Sequence, residues 1–214
     1  MAITSKGYTG TIGYADWALV SSYAGAEGGV VGAGALSVGI GPGDREVRVQ
    51  LGRAVGQGII DDSDAVGSLV AAPVSSGNRW DLIALRRNWL TGLSTLVLIT
   101  GTADKAVPVA SPDFENEPGV ICDQPLSLVR FAAGQTAAQE FEDVRVWYGS
   151  GGAAARSLLV RDFLTRIGTR IWIQGVTWVL GFAPDGSPRW VPDSPYVGST
   201  MPPYAEGLVW IKTP

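Results

Sequence analysis

The chain has 214 residues, of which 46% are hydrophobic and 17% are charged. The charged share is below the roughly 25% of an average domain, so the sequence predicts a folded protein with extensive contact surface and argues against disorder. The net charge of −4 does not indicate a basic surface that could bind phosphate groups, which argues against a DNA or RNA partner.

The N-terminal part of the chain predicts a polar arm followed by a short helix. Residues 1–13 are rich in Thr, Ser and Gly and lack an apolar signal-peptide core, so we expect synthesis in a cytoplasm. Asp16 can cap a helix over residues 15–23, where apolar residues recur at helical spacing. Residues 28–41 carry six glycines and predict a weak strand plus turn. The alternative for this segment is an apolar arm that packs on a neighbouring subunit.

The middle of the chain predicts β-strands. Residues 46–55 alternate apolar and polar side chains, as in a half-buried antiparallel strand, and two shorter strands are predicted at 56–62 and 66–72. Residues 79–101 read as two strands joined by a tight loop. In the second of these strands, the apolar run 96–99 predicts a strand covered on both faces. We therefore expect this hairpin to form the middle of the β-core.

Beyond the hairpin, residues 102–119 predict an exposed loop because they are rich in Pro, Asp and Glu without periodicity. Strands are predicted at 120–131 and 139–147. The glycines at 149–152 predict a hinge. Residues 153–166, AAARSLLVRDFLTR, have good helix propensity and an apolar stripe, so they predict one short amphipathic helix.

The last quarter predicts a compact three-stranded meander, followed by a proline-rich crossing and a last strand at 208–212. The predicted fold class is therefore mainly β. Its predicted parts are an antiparallel β-sandwich-like domain, a helical linker and a C-terminal β-meander knob, at residues 1–150, 151–166 and 167–214.

The composition also limits the chemistry. The chain contains no histidine, which excludes Ser-His-Asp and Cys-His mechanisms and histidine metal sites. Cys122 is the only cysteine, so no intramolecular disulfide can form, and it predicts a small buried hydrophobe. No segment approaches the roughly 20 apolar residues of a membrane span. We predict no catalytic residue, cofactor or metal ligand, although a carboxylate pair could come from any of 20 acidic residues.

One acidic corner, Asp61, Asp62, Ser63 and Asp64, is similar in composition to a calcium loop. It lacks the glycine and the distal glutamate of an EF-hand pattern. A solvated turn is the favoured interpretation, and a metal site is the alternative.

Opposite charges two residues apart predict structural ion pairs, because such residues lie on the same face of a strand. The two pairs are Arg79 with Asp81, and Asp143 with Arg145. Buried charges must find partners, so a structural network is favoured over an active site.

Eight tryptophans form the other notable set. Flat rings with a polar N–H suit both cores and contact surfaces, including stacking on sugars. Packing is the default expectation for those in the C-terminal meander, and an exposed ring there would be a glycan contact. The candidates are Trp172, Trp178, Trp190 and Trp210.

Several blocks together resemble tail and baseplate proteins of siphophages, especially minor tail proteins of phages that infect actinobacteria. The likeness spans nearly the whole chain and is one of order and spacing in structural strands. The blocks are ITSKGYTGTIGYADWALV, SGNRWDLIALRRNW followed by ITGTADKAVP, DQPLSLVRFAAGQT with DVRVW, and GTRIWIQGVTWVLG with DGSPRWV.

The resemblance implies a β-sandwich-like module in the virion, assembled in the host cytoplasm as a homo-oligomer, commonly a trimer. Its implied partners are other tail or baseplate proteins and a host cell-surface glycan, and it implies no catalytic residue. Three alternatives stay open: a capsid decoration or head-fibre protein, a carboxylate-dependent depolymerase of cell-wall polysaccharide, and a free carbohydrate-binding module.

Overall fold

A computed structural model describes residues 12–23, 27–105, 111–149, 152–201 and 207–213. Of the predicted polar arm, only Ile12 and Gly13 are among these residues. Ser150 and Gly151 of the predicted hinge lie outside them. The described chain is mainly β with one α-helix and several antiparallel sheets, which confirms the predicted fold class. No helix in this part of the chain has the length and apolar character needed to cross a bilayer.

The described residues form one α-helix, one 3-10 helix and eighteen strands. In chain order they are α1 (Tyr14–Tyr23), β1 (Gly29–Val31), β2 (Val38–Ile40), β3 (Glu46–Val49), β4 (Gly52–Gly56), β5 (Ile59–Ser63), β6 (Gly67–Val70), β7 (Asn78–Asn88), β8 (Leu93–Ile99), β9 (Asn116–Glu117), β10 (Ile121–Ala132), β11 (Glu140–Asp143), β12 (Val146–Gly149), β13 (Gly152–Ala155), a 3-10 helix (Leu158–Asp162), β14 (Arg170–Ile173), β15 (Val176–Phe182), β16 (Pro188–Pro192), β17 (Tyr196–Gly198) and β18 (Trp210–Lys212).

These strands form four sheets within the described residues. The largest has eight strands in the order β16-β15-β14-β13-β12-β1-β4-β5, and the next has the order β11-β10-β7-β8, with β9 paired to β10. Smaller sheets contain β2-β3-β6 and β17-β18. Neighbouring strands are antiparallel except for β1 with β12, β13 with β14, and β17 with β18, which are parallel.

The hairpin of β7 and β8 forms as predicted. Asn88 Oδ1 accepts hydrogen bonds from the Leu90 and Thr91 N–H groups at 2.9 and 3.1 Å. Gly92 has a φ of +69°, a backbone conformation that favours glycine and turns the chain back.

Strand β7 and the second half of β8 both pack on two faces. The first half of β8 is exposed, but residues 96–99 pack against two apolar clusters, as predicted: Val97 and Ile99 against one, and Leu96 and Leu98 against the other. Strand β7 lies between β10 and β8 and contributes to two apolar clusters. Trp80, Leu82 and Ala84 pack in one cluster, while Ile83 and Leu85 pack in the other. Strand β8 lies at the edge of its sheet and is less buried over its length than β7.

Residues 46–55 form two strands in different sheets, whereas the alternation predicts one. The chain leaves β3 and enters β4 at Gly52, where a Cβ atom would lie 2.6 Å from the Ala35 Cα. Only a glycine allows the backbone of Ala35 to approach this closely.

The predicted helix over residues 153–166 is also wrong. Its first part is strand β13, which pairs with β12 and β14, and its second part contains the 3-10 helix. Ser157 Oγ accepts a hydrogen bond from the Leu159 N–H at 3.2 Å and starts that helix. Small alanine side chains let β13 fit between its neighbours, and the backbone bonds gained there outweigh the local helix propensity of alanine.

This strand also changes the domain organisation. The meander β14-β15-β16 forms as predicted, but β13 joins it to β12 and β1 within one sheet. One apolar cluster likewise combines Trp80 of β7, Val160 of the 3-10 helix and Ile173 of β14. Over its described residues, the segment predicted as a helical linker at 151–166 contains β13 and the 3-10 helix, which share a sheet and an apolar cluster with both predicted domains.

Candidate functional site

A buried polar network surrounds Arg87, whose side chain is 1% exposed. Arg87 Nε donates to Asp61 Oδ2 at 2.8 Å. The two terminal nitrogens donate to Gln57 Oε1 at 2.8 Å and to Gln124 Oε1 at 2.7 Å. Gln57 in turn donates from Nε2 to the Glu27 carbonyl oxygen. The network thus ties β7 to the β4–β5 turn, β5 and β10.

Both ion pairs predicted from the sequence are formed. Arg79 Nε lies 2.7 Å from Asp81 Oδ1, and Arg145 Nη2 lies 2.7 Å from Asp143 Oδ2. Arg145 also donates to the Ala35 carbonyl oxygen at 2.6 Å. Each carboxylate is engaged by a guanidinium in two hydrogen bonds, which is a structural arrangement.

A third ion pair could not be predicted from the sequence. Arg86 of β7 lies directly opposite Asp123 of β10 and binds both of its carboxylate oxygens at 2.7 Å. The two residues are 37 positions apart. Their pairing depends on the register of β7 against β10, and no local sequence pattern indicates that register.

One acid of the acidic corner belongs to the Arg87 network, and a second forms a separate ion pair. Asp61 is the partner of Arg87, and Asp62 pairs with Arg53 at 2.7 Å, which lowers the pKa of the Asp62 carboxyl. Ser63 donates to the Ala65 carbonyl oxygen at 2.9 Å. Two of the three acids of this corner are therefore occupied by arginines. No group of three or more metal-ligating side chains occurs among the described residues.

The four candidate glycan tryptophans do not form one platform. Trp172 faces solvent from β14, while Trp178 of β15 is buried in the core, so Trp178 is wrong as a glycan contact. Trp190 packs against the same core and donates to the Arg161 carbonyl oxygen at 3.1 Å. Trp210 donates to the Gly198 carbonyl oxygen at 3.0 Å. Side chains alternate between faces along a strand, which separates Trp172 from the two rings of the core.

Two adjoining cavities form a cleft near the middle of the eight-stranded sheet. The inner cavity has a volume of about 30 Å³ and the outer one about 480 Å³. They share four lining residues, Glu27, Val146, Leu164 and Arg166. Glu27 Oε1 accepts hydrogen bonds from Thr169 Oγ1 at 2.8 Å and from the Arg166 N–H at 3.3 Å. The cleft therefore has one carboxylate and one guanidinium where its two parts meet.

Two residues that line the inner cavity each carry a buried donor without a hydrogen-bond partner among the described residues. The donors are Gln124 Nε2 and Arg166 Nη1. Gln124 is 5% exposed, and a buried donor without a partner costs roughly 1–3 kcal/mol. The Arg166 guanidinium lies 4.7 Å from the centre of the Tyr23 ring. No local sequence pattern indicates this cleft, since Glu27 and Arg166 are 139 positions apart.

Cys122 lines the inner cavity and is buried, as the sequence predicts. Burial raises the pKa of the Cys122 thiol from 9.0 to about 11, with partial compensation from the nearby Arg87 charge. The thiolate is the reactive form of cysteine, so this side chain is a poor nucleophile at neutral pH.

We expect this thiol to make stability depend on pH in alkaline solution. A raised folded-state pKa means that its contribution is fully present below about pH 9 and is lost as the pH rises to about 11. The loss should be about 2–3 kcal/mol of unfolding free energy. Urea denaturation of the wild type and Cys122→Ala at pH 8, 9.5 and 11 measures it. Equal losses in both proteins would contradict the expectation.

Helix α1 exposes an unusual set of side chains. Only Ala18 and Ser22 of this helix are buried, while five large apolar residues are 47% to 73% exposed. We name these five residues the α1 surface: Tyr14, Trp17, Leu19, Val20 and Tyr23. Tyr14 also lines an apolar groove of about 300 Å³ that includes Ile59, Trp89 and Leu93. Large exposed apolar patches mark interaction sites in soluble proteins.

Comparison with known proteins adds no relative. No family model, no curated protein and no solved structure matches the chain.

Proposed function

We propose that the chain is a non-enzymatic structural protein of a phage tail tip or baseplate. It assembles as a homo-oligomer, with a trimer favoured, and either helps the virion attach to the host surface or holds a receptor-binding fibre. The likeness to siphophage tail proteins supports the placement in a virion. The α1 surface is the observation that carries the assembly role.

The α1 surface is hard to explain in an isolated monomer. A helix of ten residues is marginal in water on its own, so it needs tertiary or quaternary packing. Within the described chain α1 buries only Ala18 and Ser22. Covering apolar surface contributes about 25 cal/mol per Å², so burial of five large side chains would strongly favour association.

A second copy of this chain is the partner we propose for that surface. The helix YADWALVSSY carries one charged residue, Asp16, so two α1 surfaces would meet without strong electrostatic repulsion. Homo-oligomers are usually closed and symmetric, and the same patch then contributes from every subunit. The groove lined by Ile59, Trp89 and Leu93 continues this surface beyond Tyr14.

The acids of the cleft support a non-enzymatic role. Glycoside hydrolysis needs two carboxylates across a bound sugar, one of them free to take and give a proton. Glu27 and Asp123 are the acids that line the inner cavity, and both oxygens of Asp123 are bound to Arg86. Glu27 is the acid of the outer cavity.

Changing one residue of the α1 surface should weaken assembly. Val20→Lys places a charge where we propose that subunits meet, and we expect the subunit dissociation constant to rise at least about tenfold. Val70→Lys is the matched control, since Val70 is similarly exposed but lies on β6. Sedimentation equilibrium and native mass measurement on both variants give the constants. A wild-type chain that stays monomeric at high concentration would contradict the assembly role.

The place in the virion needs a separate test. Gold-labelled antibodies against the purified protein should mark one end of the tail in electron micrographs of the phage that encodes the chain. Labelling of the head would instead favour the capsid decoration or head-fibre alternative. Release of reducing sugar from host cell walls by the purified protein would contradict the non-enzymatic role.

A further inference from the structure

We propose that strand β18 of one copy of this chain docks in a groove on a second copy. The groove lies between β5 and β8, and we name it the β5–β8 groove. Lys212 of the docked strand pairs with Asp64 at the rim of this groove. The contact joins two different surfaces of the chain and depends on neither the α1 surface nor a place in a virion.

Two strand edges line the β5–β8 groove. It has a volume of about 320 Å³, and its lining includes residues 61–64 and 94–96. Successive side chains of a strand point to opposite faces, so consecutive lining residues indicate that the groove runs along an edge of each strand. Among the described residues β5 pairs only with β4, and β8 only with β7. Each strand therefore has one edge that can bond to an added strand.

The groove has an apolar floor and a polar rim. Leu36 and Leu85 line it, are 3% and 6% exposed, and belong to one apolar cluster, against which Leu96 packs. Asp64 and Thr95, which also line it, are exposed. An extended segment that enters the groove can therefore place an apolar side chain on the floor and a charged one at the rim.

The groove has one negative charge without a counterion among the described residues. Asp61 pairs with Arg87, and Asp62 pairs with Arg53. Asp64 forms no ion pair within the described chain, and neither lysine nor any arginine is among the residues that line the groove. A strand with one positive side chain is therefore complementary to it in charge.

Strand β18 has the exposure and the charge that this groove requires. Its three residues, Trp210, Ile211 and Lys212, are all exposed, and within the described chain it pairs only with β17. Ile211 points to the opposite face from Lys212. The isoleucine can therefore lie on the apolar floor while the lysine reaches the rim. Sheets of two strands are marginally stable in water, so a further strand beside β18 would stabilise it.

The contact joins two chains because β18 and the groove belong to opposite sides of the core. Tyr196 of β17 and Leu208, two residues before β18, pack against the apolar cluster that contains Trp80. The floor of the groove belongs to the other cluster, on the opposite face of β7. Contacts between two different surfaces of identical chains are heterologous, and they close into rings when the rotation allows. Such a contact is compatible with a trimer.

Charge reversal tests the pairing of Lys212 with Asp64. Asp64→Lys and Lys212→Glu each bring like charges together, and each should raise the subunit dissociation constant at least about tenfold in sedimentation equilibrium. The double variant restores an opposite pair, so its constant should return to within about threefold of the wild-type value. Asp44→Lys is the matched control and should leave the constant unchanged, because Asp44 is an exposed acid between β2 and β3.

A peptide tests the groove itself. The labelled peptide GLVWIKTP, residues 207–214, is titrated into the full-length Lys212→Glu variant, whose own β18 competes weakly. Fluorescence anisotropy should give a dissociation constant on the order of 0.1 mM, as for a weak strand addition. The same peptide with glutamate in place of the lysine should bind at least about tenfold more weakly. A chain that also carries Asp64→Lys should reverse this preference.

The outcomes are distinct. A wild type that stays monomeric, absence of peptide binding, or a double variant that associates no better than the single ones would overturn the proposal. Val20→Lys changes only the α1 surface, so it should leave peptide binding unchanged, and a loss of peptide affinity there would also overturn the proposal. Rescue by the double variant without any effect of Val20→Lys on assembly would support the groove and contradict the α1 surface.

Discussion

Replacing Arg87 with methionine should lower the free energy of unfolding by about 3–5 kcal/mol, the range measured when one partner of a buried ion pair is removed. The side chain of Arg87 is almost completely buried, and it binds Asp61, Gln57 and Gln124 at 2.7–2.8 Å. The methionine fills similar space but donates no hydrogen bond. The partly buried Asp61 carboxylate and two buried amide oxygens are then left without their donor.

Urea denaturation of the wild type and Arg87→Met measures this loss. Arg53→Met is the matched control, since Arg53 forms an ion pair with Asp62 in which both side chains are more than half exposed. Exposed pairs contribute only about 0–1 kcal/mol, so the control should change stability little. Equal effects of the two substitutions would show that the Arg87 network does not stabilise the fold.

The second large effect is expected at Asp81. Its carboxylate is fully buried and accepts hydrogen bonds from Arg79 Nε and Nη2, both at 2.7 Å, and from the Gly101 N–H at 3.0 Å. Asp81→Ala leaves the mostly buried Arg79 charge and one backbone donor unpaired. We expect a loss of about 3–5 kcal/mol of unfolding free energy.

The control for Asp81 is Asp62→Ala, which removes an exposed carboxylate from the Arg53 pair. It should cost less than about 1 kcal/mol. Thermal and urea denaturation of both variants give the comparison. A loss below about 1 kcal/mol for Asp81→Ala would mean that water reaches the Arg79 guanidinium and replaces the carboxylate.

Local patterns in the sequence were enough for much of the fold. The β7–β8 hairpin could be predicted because its apolar runs are of strand length and a glycine marks the turn. Helix α1 and the meander β14-β15-β16 were also readable from periodicity and turn residues. Strand β13 was not, because alanine favours a helix locally and only the neighbouring strands β12 and β14 make the extended form favourable.

The same distinction applies to the candidate sites. Arg79 with Asp81 and Asp143 with Arg145 could be predicted, because residues two apart on a strand share a face. The Arg87 network could not, since its partners Asp61, Gln57 and Gln124 are 26 to 37 positions away. Their meeting depends on strand register and on the turn between β4 and β5, which tertiary packing sets.

The parallel pairing of β1 with β12 has a consequence for how the molecule folds. Val30 lies opposite Trp147, so the two halves of the largest sheet meet through a contact between the beginning of the chain and its last third. Contacts this distant in sequence slow folding, because a long loop must close first. A ribosome-bound chain that ends before β12 cannot join these halves, so the nascent protein should acquire protease resistance only late in its synthesis.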